Sequence, residues 1–201
     1  TSLGYEIKPT AIKVESEAEK PLPLGVVDKV DAELKTRLDN RFLDLRKENN
    51  RIIFDLKNIL MEGLRDFFFK EDFVEVHTPK IVEAGAEGGA TLFDVDYYGD
   101  KAYLAQSPQL YKQILMGAGF ERVFEIAPAY RAEPFDTIRH TSEFISLDFE
   151  MAFIDGSEDI MDMTSYMISH SLSYVKEHGI DELKKLEIDI EVPEHPIKKI
   201  P

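Results

Sequence analysis

The sequence predicts an α+β fold, an antiparallel sheet flanked by helices, and three observations carry that expectation. Two stretches, residues 123–133 (VFEIAPAYRAE) and 144–154 (FISLDFEMAFI), alternate apolar and polar side chains at the period of a strand. A short polar segment, residues 134–143, joins them, which makes them neighbouring antiparallel strands. Two long stretches on either side carry apolar residues every three or four positions, the signature of amphipathic helices.

Residues 1–30 read as a tail or linker, with room for one short strand before residue 14. Pro21 and Pro23 bracket an extended stretch that cannot be helical. Residues 1–46 are expected to form a hinge following a domain outside this chain, and residues 47–201 the body of a second domain. A helix over about residues 48–70 is marked by Ile53, Leu56, Leu60, Leu64 and Phe67. Residues 73–79 (FVEVHTP) alternate as a short strand closed by Pro79. Gly85, Gly88 and Gly89 mark residues 82–90 as either a mobile loop or a plain turn. Strand-like pieces at 93–98 and 101–105 lead to a helix with Ser107 as its cap and Pro108 in its first turn, ended by Gly117 and Gly119. A last helix over about residues 158–177 has Ser157 as its expected cap and Gly179 past its end. Its Ile160, Met163, Met167, Ile168 and Leu172 read as core.

Composition narrows the function. The 201 residues carry 24 Lys+Arg against 39 Asp+Glu, a net charge of −15, which argues against a generic nucleic-acid binder. A local basic groove, or a basic domain outside this chain, stays compatible with it. Zero cysteines exclude a disulfide framework and thiolate metal sites, so a cytoplasmic setting is expected. No run approaches the roughly 18 apolar residues of a membrane span, and residues 1–10 do not make a signal peptide. The five histidines have no metal-ligand spacing, so no metal site is expected within the chain. Neither a GxxxxGK nor a GxGxxG loop occurs, and there is no GxSxG elbow.

The alternation puts Arg131, Glu133, Asp148 and Glu150 on one sheet face. Such a face is costly to bury unless a polar ligand or mutual pairing satisfies it. Either it is an exposed, salt-bridged surface, or Arg131 forks onto a phosphate while Glu133 accepts a hydrogen bond from an exocyclic amine. Arg139 and His140, in the loop, can reach the outer phosphates of a nucleotide. Gln109 and Lys112, three apart on one helix, share a face beside Ser107. They are either an ordinary surface pair or a pocket for a small molecule with a carboxylate and an amine.

Several motifs agree in order with a known family. RAEPFDTIRHTSEFISLDFE resembles the second signature motif of class II aminoacyl-tRNA synthetases, and FVEVHTPKI the first, with Pro79 as its proline at the dimer interface. AEGGATLF and YLAQSPQLYKQ add a resemblance to aspartyl-tRNA synthetases of the archaeal and eukaryotic type. Residues 21–46 are similar to that family's hinge between an anticodon-binding barrel and the catalytic domain.

The resemblance implies a class II synthetase-like sheet and an enzyme that joins aspartate to tRNA through an aspartyl-adenylate, with ATP as co-substrate and a homodimer as its working form. It implies that Arg131 holds the ATP α-phosphate, that Glu133 reads the adenine amine, and that Phe144 stacks on the adenine. Arg139 and His140 would hold the outer phosphates. Lys112 would pair with the side-chain carboxylate of aspartate, while Ser107, Gln109 and Asp148 surround its ammonium and Glu87 closes over it. A lysine buried without that carboxylate would be an unpaired charge, which favours aspartate over asparagine. Two departures stand out. Ala86 occupies a loop position where the family often has Thr or Ser. The third class motif, a glycine-rich helix start with an arginine, is not reached before Pro201. The fold is therefore expected to be incomplete on its C-terminal side, with the Mg2+ ligands and a second arginine for the substrate carboxylate outside this chain, and the chain alone to be inactive. The rival expectations are an asparagine synthetase-like paralogue that passes the same adenylate to ammonia, and a non-catalytic synthetase-like binding module.

Overall fold

The structure is a computed structural model that describes residues 4, 6–27, 31–86, 91–135, 137 and 139–198. The chain divides into two compact units, Thr1–Phe54 and Asp55–Pro201. Among the described residues before 31 there is no strand, so the short strand expected near the N-terminus is not seen there.

The first unit holds two helices that the sequence did not announce, α1 (Leu34–Asp39) and α2 (Arg41–Asp44). At six and four residues they are too short for an apolar stripe to declare itself. Their packing centres on Asp44, whose carboxylate is fully buried. Arg37 Nε donates to its Oδ1 at 2.9 Å, Arg41 Nη1 to its Oδ2, and Asn50 Nδ2 to its Oδ1 at 2.9 Å. Asn50 Nδ2 also reaches the Asp44 carbonyl at 3.0 Å. The Arg37 hydrogen bond and charge hold the Asp44 carboxyl below its ordinary value against the opposing effect of burial.

The helix α3 (Glu48–Lys70) has the expected limits. In the second unit its later turns cross α5 (Ser157–His178) closely at Gly63, where an added Cβ would lie 2.8 Å from Tyr174 Cβ. The N-terminal end of α5 is held by Asp159 rather than by Ser157: Asp159 Oδ2 accepts from the backbone N–H groups of Asp155 and Gly156. Ser157 is instead the first helical residue, its hydroxyl turned to Glu158 at 3.0 Å. The short α6 (Ile180–Lys185) follows at once, and Gly179 between them has no room for a side chain beside Leu56 and the Val175 carbonyl.

Among the described residues six strands form two three-stranded sheets. The first has the order β1 (Val74–Glu75), β5 (Arg122–Tyr130), β6 (Glu143–Met151), and β5 and β6 pair antiparallel as expected, from Arg122↔Met151 to Tyr130↔Glu143. β1 differs from expectation: it has two residues and lies parallel to β5. Proline at 79 and the polar 77–80 segment take the chain out of the ladder. The second sheet has the order β2 (Ile81–Val82), β4 (Asp100–Leu104), β3 (Asp94–Tyr97). Tyr98 and Gly99, at φ 56° and 92°, make the two-residue turn between β3 and β4, and positive φ at both positions matches the twist of a tight hairpin.

The two faces of the β5–β6 pair have opposite fates. Phe124 and Ile126, with Leu147 and Phe149, pack on Phe67, Phe68 and Phe73 from α3 and its end, and on Met163 and Met167 of α5. Phe68 and Phe124 stack with centroids 4.5 Å apart, and Phe73 meets Phe68 edge-on at 4.9 Å. The other face carries Glu125, Ala127 and Ala129 opposite Asp148, Ser146 and Phe144. Helix α4 (Gln109–Gly117) lies against that face.

Candidate functional site

The polar face of β5–β6 meets α4 at Lys112, and the stem of the glycine-rich loop faces the residues at the start of that helix. Alternation places Arg131, one step past the end of β5, on the polar face. Its N–H donates to the Ser142 carbonyl at 3.0 Å, so the ladder continues through it. Its guanidinium carbon lies 5.5 Å from the Phe144 ring centroid, a cation–π arrangement that holds both flat groups beside each other. Tyr130 closes β5, and burial, with Glu143 beside it, raises its hydroxyl above the ordinary value.

The loop after Glu133 is folded on itself. His140 Nδ1 and Thr137 Oγ1 are 2.7 Å apart, and Arg139 N donates to the same hydroxyl at 3.2 Å. His140 Nε2 lies 3.9 Å from Glu133 Oε2, which brings the loop histidine back to the strand-end carboxylate. Arg139 and His140 are exposed, Glu133 half-buried.

Lys112 is the surprise of the site. It comes from the first turns of α4 yet is only 3% exposed. Its ammonium donates to the Phe149 carbonyl at 3.2 Å and lies 3.5 Å from Asp148 Oδ1 and 3.3 Å from Glu150 Oε2. The second Asp148 oxygen accepts from Ser146 Oγ at 2.6 Å. Lys112 is thus not an unpaired charge, and the expectation that only a substrate carboxylate could satisfy it is corrected on this point. With one ammonium and two carboxylates, the cluster itself is net negative.

Ser107 and Gln109 frame the same corner. Pro108, not Ser107, occupies the cap position, since its carbonyl accepts from Lys112 N at 3.0 Å; Ser107 Oγ accepts from Gln109 N at 3.4 Å. The stem of the loop, residues 82–86, faces Gln106, Ser107 and Leu110 across a cavity of about 230 Å3. Gln106 is 1% exposed, and its Oε1 would be 3.1 Å from a Cβ added to Gly85. Glu87 lies outside the described residues. Pro79 is exposed.

Two buried groups were not singled out from the sequence. Gln106 gave no signal beyond preceding the helix start. Glu125 did give one, because it alternates with Arg131 on the polar face; a carboxylate in mid-strand that is 1% exposed needs partners. They are Thr78 N at 2.7 Å, Thr78 Oγ1 at 2.8 Å and Lys80 Nζ at 2.9 Å. Among the described residues no three carboxylates or histidines gather as metal ligands.

Over 198 residues the chain is 48% identical to Aspartate--tRNA(Asp) ligase of Thermococcus kodakarensis, covering 98% of this chain and 45% of that protein. It is 48% identical over 197 residues to Aspartate--tRNA(Asp/Asn) ligase of Archaeoglobus fulgidus, with 98% and 46% covered. The chain therefore spans about half the length of the curated relatives it matches. The crystal structure of asparaginyl-tRNA synthetase from Pyrococcus horikoshii complexed with asparaginyl-adenylate superposes with a TM-score of 0.74 at 34% identity, over 79% of this chain and 36% of that one. Residues 33–201 match the family of class II tRNA synthetases (D, K and N), and with the polar sheet face, the buried lysine and the order of the motifs all in place, the chain belongs to that family.

Proposed function

We propose that this chain is the first part of the catalytic domain of an aspartate–tRNA ligase that activates aspartate with ATP and transfers it to tRNA. The observation that carries the proposal is Lys112: a lysine buried on the polar sheet face, flanked by Asp148 and on the same face as Arg131 and Phe144. These positions support a reading in which Lys112 serves a side-chain carboxylate, Asp148 an ammonium and Arg131 a phosphate.

On this proposal an oxygen of the aspartate α-carboxylate attacks the α-phosphorus of ATP. The bond from that phosphorus to the bridging oxygen breaks, and pyrophosphate leaves. Arg131 holds the α-phosphate and stabilises its developing charge. Glu133 accepts from the adenine amine and Phe144 stacks on the ring. Arg139 and His140 grip the outer phosphates. Lys112 takes the side-chain carboxylate, while Ser107, Gln109, Asp148 and Glu87 surround the ammonium. A terminal ribose hydroxyl of tRNA then attacks the aspartyl carbonyl, and AMP leaves. None of these groups becomes covalently attached, so catalysis is positioning and electrostatics. Mg2+, when bound, would neutralise phosphate charge, and its ligands, with a second cation for the aspartate side chain, are expected in a part of the enzyme beyond these residues. We propose further that the enzyme is a cytoplasmic homodimer with Pro79 at its interface. No described helix is long and apolar enough to cross a membrane.

The experiment is ATP–pyrophosphate exchange with aspartate and with asparagine, on this chain and on the full-length protein that carries it. Exchange with aspartate in the full-length protein, silence from this chain alone, and a loss of about 100-fold or more in Arg131→Ala are expected. Near-normal exchange in that variant would remove Arg131 from the chemistry. A preference for asparagine would overturn the role of Lys112, and tRNA-independent formation of asparagine from ammonia would place the chain in an asparagine synthetase.

A further inference from the structure

We infer that Glu125 is a positioning residue that sets the amino-acid side of the pocket against the nucleotide side, an inference that rests on the aspartate-activating function proposed above. Glu125 sits in the middle of β5, directly opposite Asp148 and on the same face. Like charges at directly opposed positions are unfavourable unless one is offset. Here Glu125 is offset from behind, and both of its oxygens are turned away from the pocket to the 77–80 segment.

The partners form a closed set. Oε1 accepts from Thr78 N at 2.7 Å and Lys80 Nζ at 2.9 Å, and Oε2 accepts from Thr78 Oγ1 at 2.8 Å. The Thr78 hydroxyl in turn accepts from Lys80 Nζ at 2.8 Å. Thr78 and Glu125 are 47 residues apart in the chain, so the clamp joins two distant stretches.

The chain on the far side of Lys80 gives the clamp its reach. The Lys80 carbonyl accepts from Ala105 N at 3.0 Å, and the next pairs are Ile81↔Leu104 and Val82↔Tyr103. Beyond Val82 runs the stem of the glycine-rich loop; beyond Ala105 come Gln106, Ser107 and α4 with Lys112. The Ala105 carbonyl accepts from Tyr130 N at 3.0 Å, which returns to β5 five residues from Glu125. A polar circuit thus runs from β5 through Thr78 and Lys80 to Ala105 and back to β5. Through it the second sheet, the loop stem and the helix start are fastened to β5, and just past the end of β5 Ala132 N adds a bond to the Thr91 carbonyl at 2.9 Å. The groups assigned to ATP, Arg131, Glu133 and Phe144, belong to the β5–β6 hairpin and its ends, where pairing with β6 and the Arg131 N–H bond to the Ser142 carbonyl at 3.0 Å supply a hold that does not pass through the Glu125 carboxylate.

An asymmetric defect is expected when the clamp is broken. In the full-length enzyme, Glu125→Gln keeps the size but presents a donor to Thr78 Oγ1 or Lys80. We expect the KM for aspartate in pyrophosphate exchange to rise about 10-fold, with the KM for ATP and kcat each within about threefold. Lys80→Met should shift the aspartate KM in the same direction, and Lys80→Arg, which keeps the ion pair, should restore it. A purely structural loss would lower kcat with the active fraction and leave both KM values unchanged, and that result, or an equal rise in both KM values, would overturn the inference. If Glu125→Gln does not fold, Thr78→Val removes only the hydroxyl and should give a smaller shift of the same kind. Hydrogen exchange on this chain gives a readout independent of activity: Glu125→Gln should speed exchange at Thr78 and Ala105 and leave Ile126 unchanged. Unchanged exchange at Thr78 and Ala105 would overturn the clamp. A full-length protein without aspartate-dependent exchange would instead overturn the proposed function, and the hydrogen-exchange data would still decide the clamp.

Discussion

Asp44 and Lys112 are both buried charges held by two groups of opposite sign, and they are built to different tolerances. Around Asp44, Arg37, Arg41 and the Asn50 amide all make short hydrogen bonds, and the depressed carboxyl pKa records how firmly the anion is held. Around Lys112, the two carboxylates stand off at 3.3 and 3.5 Å, and the best-made contact is to a backbone carbonyl at 3.2 Å. Asp44 is saturated, with nothing left to offer a ligand. Lys112 is compensated in charge but not in geometry, so a carboxylate that approached closely could replace a partner. A buried charge marks a binding site when its partners leave room for exchange; burial alone does not.

The largest test breaks the looser cluster. Lys112→Met in the full-length enzyme should lower kcat/KM for aspartate by about 100-fold or more while the KM for ATP stays within a few-fold, measured by pyrophosphate exchange. A loss confined to ATP would show that the ammonium serves the nucleotide. Next comes the tight cluster. Asp44→Ala leaves Arg37 and Arg41 facing each other without their anion, and the helical signal of the Thr1–Phe54 unit should melt at a clearly lower temperature. An unchanged melting profile would mean that the knot is decorative. Glu150→Gln sharpens the contrast: with one anion fewer beside Lys112, the aspartate KM should fall by a few-fold, and a rise would mean that Glu150 aims the lysine more than it competes with the substrate.

The smallest effect is a pH dependence. The folded-state pKa of Asp44 lies below its unfolded value of about 4, so the stability it supplies is complete above that range and is lost as pH falls through the depressed value. An acid titration followed by circular dichroism should show this loss in the native sequence and a flatter profile in Asp44→Asn.

The same contrast explains what was legible in the sequence. α3 and the β5–β6 pair were readable because their apolar positions recur over 23 and nine residues, long enough for a period to show. The polar face could be read residue by residue, Arg131 and Asp148 among them, since alternation fixes a direction. Which polar groups would meet could not be read. Lys112 with Glu150, and Glu125 with Thr78 and Lys80, are joined by folding across dozens of residues, and no local pattern encodes such pairs. β1 was overestimated because alternation in FVEVHTP marks an extended chain and does not say how much of it finds a partner. The cap of α5 lies one residue before Ser157, at Gly156, because Asp159 reaches back to hold the helix start.

The parallel pairing of β1 with β5 bears on the order in which the protein assembles. The β5–β6 hairpin closes over a loop of about a dozen residues, so its ladder can zip early and at small entropic cost. β1 waits on the far side of the second sheet and α4, and Val74 can meet Val123 only after that intervening chain has been gathered in. The strand that leads into Arg131 is therefore expected to be ready before β1 docks beside it, and β1 should show the slowest protection in pulse-labelled refolding.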